Sequence, residues 1–193
     1  MSFYSIAPFI ERYYPEYYSI ECYPTDECVV IHKINEKWGI FSNFAHTPII
    51  YQGVTYKSSE QLFQMMKFTD ETIREEIFKA PNPKMAAKHY EKENRRPDWG
   101  KMIVDVMKLC LMLKYKQCEE FRRQLDSTSG KYIVEDQTSF RKKYADTWGV
   151  KREGEFYVGP NLLGRLLMEL RDNGKLEYNL PDDALDFIEI LKK

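Results

Sequence analysis

The stretch Ser58-Ser59-Glu60-Gln61-Leu62-Phe63-Gln64-Met65-Met66-Lys67-Phe68 decides how the rest of the chain is read. Ser58 and Gln61 have the spacing of a capping box, in which a hydroxyl and an amide satisfy reciprocal backbone donors where a helix begins. A helix starting at Ser59 is therefore predicted. Glu60, Gln64 and Lys67 then stand at i, i+4 and i+7, and at about 100° per residue the outer two fall within roughly 20° of one another. Leu62, Phe63, Met65, Met66 and Phe68 take most of the remaining surface, so the helix reads as buried, with one polar stripe facing a partner or a cavity. Buried charges must be paired or used. The other reading is a solvated face on which the two charges are too far apart to interact.

Working outward, the sequence on the N-terminal side is β-like. Val29-Val30-Ile31-His32-Lys33-Ile34, Trp38-Gly39-Ile40-Phe41, Ile49-Ile50-Tyr51 and Val54-Thr55-Tyr56 are rich in β-branched and aromatic residues and predict short strands, the last two joined by a Gln52-Gly53 hairpin turn. Residues 1–28 are Tyr-rich without a period of 2 or 3.6 and are expected to be an N-terminal extension packed on the domain.

On the C-terminal side the signals are helical. Asp70 or Thr69 caps a helix through Lys79, and Asn82-Pro83 opens another through about Glu93. Residues 99–117 form the longest helix, with the pattern running on through Phe121 and Leu125. Residues 126–155 are polar and Gly-containing and suit a long loop or lid with short strands. Asn161 is placed as N-cap of a buried helix whose N-terminus could bind an anion, Asn173-Gly174 ends that helix, and residues 182–193 predict an amphipathic tail helix. The fold class expected is α-rich α+β: a small β-hairpin region and a buried central helix bundle in one domain over 29–175, with the tail following at 176–193.

Composition narrows the function. The 193 residues are 43% hydrophobic and 15% aromatic, enough for one well-buried domain. A net charge of -1 argues against a protein that coats duplex nucleic acid. The four cysteines, Cys22, Cys28, Cys110 and Cys118, lack CxxC or His spacing, so no metal site and no disulfide framework is expected. No secretory leader and no long apolar run are apparent, which predicts a cytoplasmic protein without a membrane partner. His32, His46 and His89 are scattered, and neither a G-x-G-x-x-G nor a P-loop occurs, so triad chemistry, dehydrogenases and NTPases find no support.

Candidate binding residues follow from their chemistry. The Asn43 amide, flanked by Phe41 and Phe44, closes a turn or binds ribose hydroxyls, and the pocket is the preferred reading. Trp99 and Trp148 are core aromatics or stacking faces for a base. Arg95-Arg96 with Lys101 is a phosphate fork or a solvated basic patch, and Arg96 is carried as the candidate.

Four ordered motifs, Gly39-Ile40-Phe41-Ser42-Asn43-Phe44, Ser59-Glu60-Gln61-Leu62-Phe63-Gln64 with Lys67-Phe68, Trp148-Gly149, and Gly159-Pro160-Asn161-Leu162-Leu163-Gly164 with Leu167-Met168 and Arg171, resemble the YbiA-like or NADAR family over roughly residues 33–175. Members of that family are N-glycosidases that act on early riboflavin-pathway intermediates or remove ADP-ribose from guanine. The resemblance implies Glu60, Lys67 and Asp146 as catalytic residues. It implies Ser42, Asn43, Phe44, Gln64, Trp99, Trp148, Gly149 and Asn161 as substrate-binding residues. It implies no cofactor, and as partner a nucleotide-like small molecule or ADP-ribosylated guanine, including single-stranded nucleic acid ends. A monomer is expected.

Overall fold

The computed structural model describes residues 6–141 and 143–185. In chain order the elements are α1 (Ala7–Tyr13), β1 (Glu21–Pro24), β2 (Cys28–Ile31), β3 (Ile49–Tyr51), β4 (Val54–Tyr56), α2 (Ser59–Met65), α3 (Glu71–Lys79) and α4 (Pro83–Tyr90). They continue with α5 (Trp99–Gln117), α6 (Glu119–Asp126), β5 (Tyr132–Glu135), β6 (Lys151–Glu153), β7 (Phe156–Gly159) and α7 (Leu162–Asn173). This is an α-rich α+β fold, as the sequence predicts. The chain divides into two units, one over Met1–Ser42 and Glu120–Leu176, the other over Asn43–Glu119 and Glu177–Lys193.

In the first unit the Tyr-rich N-terminal segment supplies a strand. β1 lies antiparallel to β7, with Tyr23 opposite Tyr157, and β6 completes that sheet. β2 runs parallel to β5, pairing Val29 with Ile133 and Ile31 with Glu135. Tyr23, Val134, Val150 and Tyr157 form a buried cluster, with Cys28, Val30 and Met168 packed against it. Leu162, Leu163, Leu166, Leu167 and Leu170 give α7 a buried face, and α7 packs on β5. Gly164 makes that packing possible, because a Cβ there would lie 2.0 Å from the Ile133 carbonyl oxygen.

The strand expected at Trp38–Phe41 is instead a 3-10 turn over Gly39–Phe41. Gly39 N–H donates to Glu36 O at 2.9 Å and Phe41 N–H to Trp38 O at 3.0 Å, so local bonds replace a ladder. The chain doubles back so closely that a Cβ on Gly39 would meet Ile34 O at 2.2 Å. Trp38 and Phe41 stack on one another within the turn, with ring centroids 5.6 Å apart.

The second unit opens with the β3–β4 hairpin, in which Ile49 faces Tyr56 and Tyr51 faces Val54. Gln52 and Gly53 both have positive φ, 47° and 81°, the turn whose twist matches paired strands. The Gln117 amide closes the hairpin's outer edge by accepting from Ile50 N–H at 2.7 Å and donating to Ile50 O at 2.6 Å. α2 packs against α3, α4 and α5. Asp70 caps α3 by accepting from Ile73 N–H, and Asn82 caps α4 by accepting from Met85 N–H. α5 is buried nearly all round, and side chains such as Ile103, Val106, Leu109 and Leu111 each contribute about 1.5–3 kcal/mol by leaving water.

Two helix ends differ from the sequence reading, and the tail helix falls largely outside the described residues. α5 does not run on through Phe121, because Cys118 is extended (φ -110°, ψ 99°) and α6 starts afresh. α4 stops at Tyr90, and Asn94 N–H bonds back to Tyr90 O as the chain turns. Of the expected tail helix only a 3-10 turn at Asp182–Leu185 falls within the described residues; 186–193 lie outside them.

Candidate active site

Glu60 is presented by the first turn of α2. Ser58 Oγ accepts from Gln61 N–H at 3.3 Å, as a cap should. The reciprocal half of the box is displaced by one residue, since Gln61 Oε1 accepts from Lys57 N–H at 2.7 Å rather than from Ser58. The Glu60 N–H donates to Asn43 O at 3.0 Å, tying the Ser42–Phe44 segment's second residue to the helix start. Gln64 Nε2 donates to Glu60 Oε1 at 2.6 Å. With Glu60 only 6% exposed, burial pushes its carboxyl above the usual carboxylate range, while Lys84, the Gln64 bond and Lys67 pull it back.

Lys67 is not on the helix. α2 ends at Met65, and Lys67 N–H closes a tighter turn onto Gln64 O at 3.3 Å. The side chain is nonetheless buried, so the solvated-stripe reading falls. Lys67 Nζ lies 3.2 Å from Glu91 Oε1 and 5.7 and 5.9 Å from the ring centroids of Phe63 and Trp99. Burial lowers the Lys67 amine below its ordinary range, Glu91 and Glu60 oppose that, and Lys84 adds to it.

Around this pair the second unit holds Asn43, Phe44, Lys84 and Trp99. Asn43 Nδ2 donates to Met107 Sδ at 3.1 Å, but Asn43 Oδ1 and Gln64 Oε1 are buried acceptors without a hydrogen-bond partner. Phe44 is 40% exposed, and Lys84 Nζ sits 5.1 Å above its ring. Trp99 is fully buried and meets Phe63 edge to face.

Arg96 departs from the phosphate-fork expectation. Its guanidinium is buried, donating to both Asp98 carboxylate oxygens at 2.6 and 2.9 Å and to Asp183 Oδ1 at 3.2 Å. Asp98 and Asp183 take up Nε and Nη2, the edge a phosphate fork would use, while Nη1 is buried without a hydrogen-bond partner. Arg95 stays partly exposed, with Nη1 3.9 Å from Glu91.

The remaining sequence candidates belong to the first unit. Asp146 Oδ1 accepts from Gln137 Nε2 at 2.5 Å and from Trp148 N–H at 3.0 Å, closing a local turn. Ser42 and Trp148 are half-buried and Gly149 is buried. The carbonyls of Gly149, Thr147 and Trp148 accept from the N–H groups of Asn161, Leu162 and Leu163, each at 3.1 Å. The first donors of α7 are thereby consumed, so its N-terminus is not the anion site the sequence suggested. Asn161 likewise neither caps with its side chain nor presents it to a ligand. Its amide donates to Ile133 O at 2.8 Å and accepts from Glu135 N–H at 3.2 Å, bracing the β5 backbone from full burial.

Comparison with known proteins decides the family. The NADAR domain model matches residues 31–173. The chain belongs to the NADAR domain family. N-glycosidase YbiA of Escherichia coli is 35% identical over 154 residues, covering 79% of this chain and 91% of that protein. The riboflavin biosynthesis protein PYRR of Zea mays is 30% identical over 160 residues, 74% of this chain and 24% of the maize protein. The solution structure of E. coli YbiA superposes with a TM-score of 0.63 at 34% identity, over 82% of this chain and 92% of that one. Like N-glycosidase YbiA, this NADAR protein is a hydrolase acting on N-glycosyl bonds.

Among the described residues no group of three or more His, Cys, Asp or Glu side chains gathers as a metal site, and no helix is long and apolar enough to cross a membrane. Sequence reasoning missed two charged residues that act on Lys67. Glu91 gives no local signal, being 24 positions from Lys67. Lys84 does give one: it is a cation in the first turn of α4, where the helix dipole favours anions.

Proposed function

We propose that Glu60 and Lys67 carry the N-glycosidase reaction and that the preferred substrate is an ADP-ribosylated guanine, free or at a single-stranded end. The observation that carries the catalytic part is the Glu60 carboxylate, buried, held by Gln64 and flanked by the two partnerless acceptors Asn43 Oδ1 and Gln64 Oε1. Acceptors of that kind suit ribose hydroxyls, which bring the missing O–H donors. As the C1′–N bond breaks, its electron pair leaves with the base and positive charge grows at C1′. Glu60 faces that charge as a carboxylate, and it takes the proton of the water whose oxygen joins C1′. A carboxyl raised by burial above its ordinary range is suited to that proton transfer.

Lys67 serves in one of two ways: as an amine that attacks C1′ of a ring-opened ribose, or as a charge that grips phosphate. Its lowered basicity favours the first and its ion pair with Glu91 the second. Lys67, Lys84 and Arg95 bring three cations to one buried carboxylate and its neighbour Glu91, which supports a substrate carrying a diphosphate. Net charge of -1 limits long-range attraction to a duplex, so nucleic-acid contact would be local.

A second substrate, a phosphoribosyl-aminopyrimidine intermediate of riboflavin synthesis, is favoured by the similarity to the maize riboflavin protein. The test compares base release from ADP-ribosylated guanosine, an ADP-ribosylated single-stranded oligonucleotide and the aminopyrimidine. Release from the guanine substrates at the higher rate is expected. An aminopyrimidine rate faster by an order of magnitude would replace the first substrate by the second.

A further inference from the structure

Helix α4 carries Lys88 in its last turn, in keeping with its dipole, but also one charge at each end against it. A helix favours anions at its N-terminus and cations at its C-terminus, by about 0.3–1 kcal/mol each. Here Lys84 stands in the first turn and Glu91 at the C-cap. Both misplaced charges act on Lys67: Glu91 by an ion pair of 3.2 Å, Lys84 through the field it exerts on Lys67 and Glu60.

We propose that Glu91 is a positioning residue for the reaction, holding the Lys67 amine against the Phe63 and Trp99 rings and governing when that amine carries its proton. The inference rests on the N-glycosidase reading of the Glu60 cluster and adds to it a residue on a different element. The division of labour between the two acids follows from their contacts. Glu60 Oε1 is engaged by Gln64, whereas Glu91 Oε1 meets Lys67 Nζ directly and has Arg95 at 3.9 Å behind it. The side chains of Lys67 and Glu91 are only 10% and 16% exposed, so water screens their attraction weakly.

The other charged groups around Lys67 do not substitute for Glu91. Glu60 on α2 draws the ammonium from a second side, and Lys84 on α4 repels it. Arg74 of α3 donates to the Phe68 carbonyl, and Arg96, ahead of α5, is paired with Asp98 and Asp183. α5 itself offers Lys67 the Trp99 ring. Glu91 is thus the carboxylate in direct contact with Nζ, and removing its charge should make Lys67 give up its proton at lower pH.

The experiment follows the Lys67 Nζ titration by NMR of the full-length protein, with lysine side chains labelled and the Lys67 signal assigned by its loss in Lys67→Arg, for wild type, Glu91→Gln and Glu91→Asp. In Glu91→Gln the midpoint should fall by about one pH unit or more, the tenfold change in proton affinity expected for losing a buried counter-ion. The Lys67-dependent limb of the kcat profile should move by the same amount, with kcat down about tenfold and KM within about twofold. Glu91→Asp, which keeps the charge, should return the midpoint most of the way. A Glu91→Gln midpoint equal to wild type, or a fall in kcat with an unmoved limb, would overturn the inference and leave Glu91 a structural ion pair. The titration needs no substrate. A Lys67→Arg enzyme with full turnover would therefore count against the catalytic reading alone, with the shifted midpoint still supporting the hold of Glu91 on the amine.

Discussion

Two buried asparagines stand beside the starts of two helices and are used in opposite ways. In the first unit Asn161 spends both ends of its amide on the β5 backbone, while the N–H groups of residues 161 to 163 are taken up by the carbonyls of Thr147, Trp148 and Gly149. In the second unit Asn43 ties its carbonyl to Glu60 N–H, yet its side-chain oxygen and that of Gln64 have no partner, beside a carboxyl and an amine that burial disfavours as ions. A saturated polar cluster fixes a backbone. One left short of partners, at a cost of about 1–3 kcal/mol per unpaired group, holds capacity for a ligand. The difference sets a saturated junction apart from the proposed site even though both were conspicuous in sequence.

The sharpest way to break this contrast is at Glu60. Glu60→Gln removes charge with little change in volume and should cut turnover by about 10³-fold. The same change should raise thermal stability at neutral pH. The folded state binds the Glu60 proton more tightly than the unfolded chain does, so its contribution is present at low pH and lost as pH rises through the elevated value. Glu60→Gln should flatten that slope in a series of melts from pH 4 upward. A soluble variant with near-wild-type turnover would remove Glu60 from catalysis.

Next in size is Lys67→Arg, which keeps positive charge but loses the nucleophilic amine. Turnover should fall by about 10²-fold if the amine attacks C1′, and borohydride added to wild type during turnover should then leave a sugar adduct at Lys67 by mass spectrometry. Substantial activity in Lys67→Arg with no adduct would leave Lys67 a phosphate contact.

The two asparagines test the comparison directly. Asn161→Ala should destabilise by about 2–4 kcal/mol in urea denaturation, since it strips a buried donor and a buried acceptor from β5. Asn43→Ala should stay within about 1 kcal/mol of wild type and lose about tenfold in kcat/KM. If the two variants exchanged these phenotypes, the assignment of junction and site would be reversed.

The smallest effect is expected at Lys114, fully buried on α5, where burial lowers the amine to about 7. Between that value and the ordinary lysine range the unfolded chain holds a proton the folded one lacks, so stability should rise with pH by at most about 1.4 kcal/mol per unit above pH 7. Lys114→Met should abolish that slope and leave turnover unchanged, which urea melts at pH 7, 8 and 9 would register.

Much of this fold is legible in the chain because it depends on neighbours within a turn or two. The Ser58, Asp70 and Asn82 caps, the Gln52-Gly53 hairpin and the Gly174 helix end with φ of 69° all follow from local sterics and hydrogen bonding. Glu60 and Gln64 were legible for the same reason, since a helical period puts them on one stripe. The parallel pairing of β2 with β5 was not, because it depends on where distant chain runs, and neither were the turn at Gly39–Phe41 and the break at Cys118, where strand-like and helix-like residue patterns run through the bend. Sequence alone determined which residues are chemically out of place: a carboxylate, an amide and an amine amid apolar neighbours. Tertiary structure decided what each became. Whether a buried polar group finds partners depends on residues far away in the chain, such as Glu91 for Lys67 and Ile133 for Asn161, and no local pattern encodes their arrival.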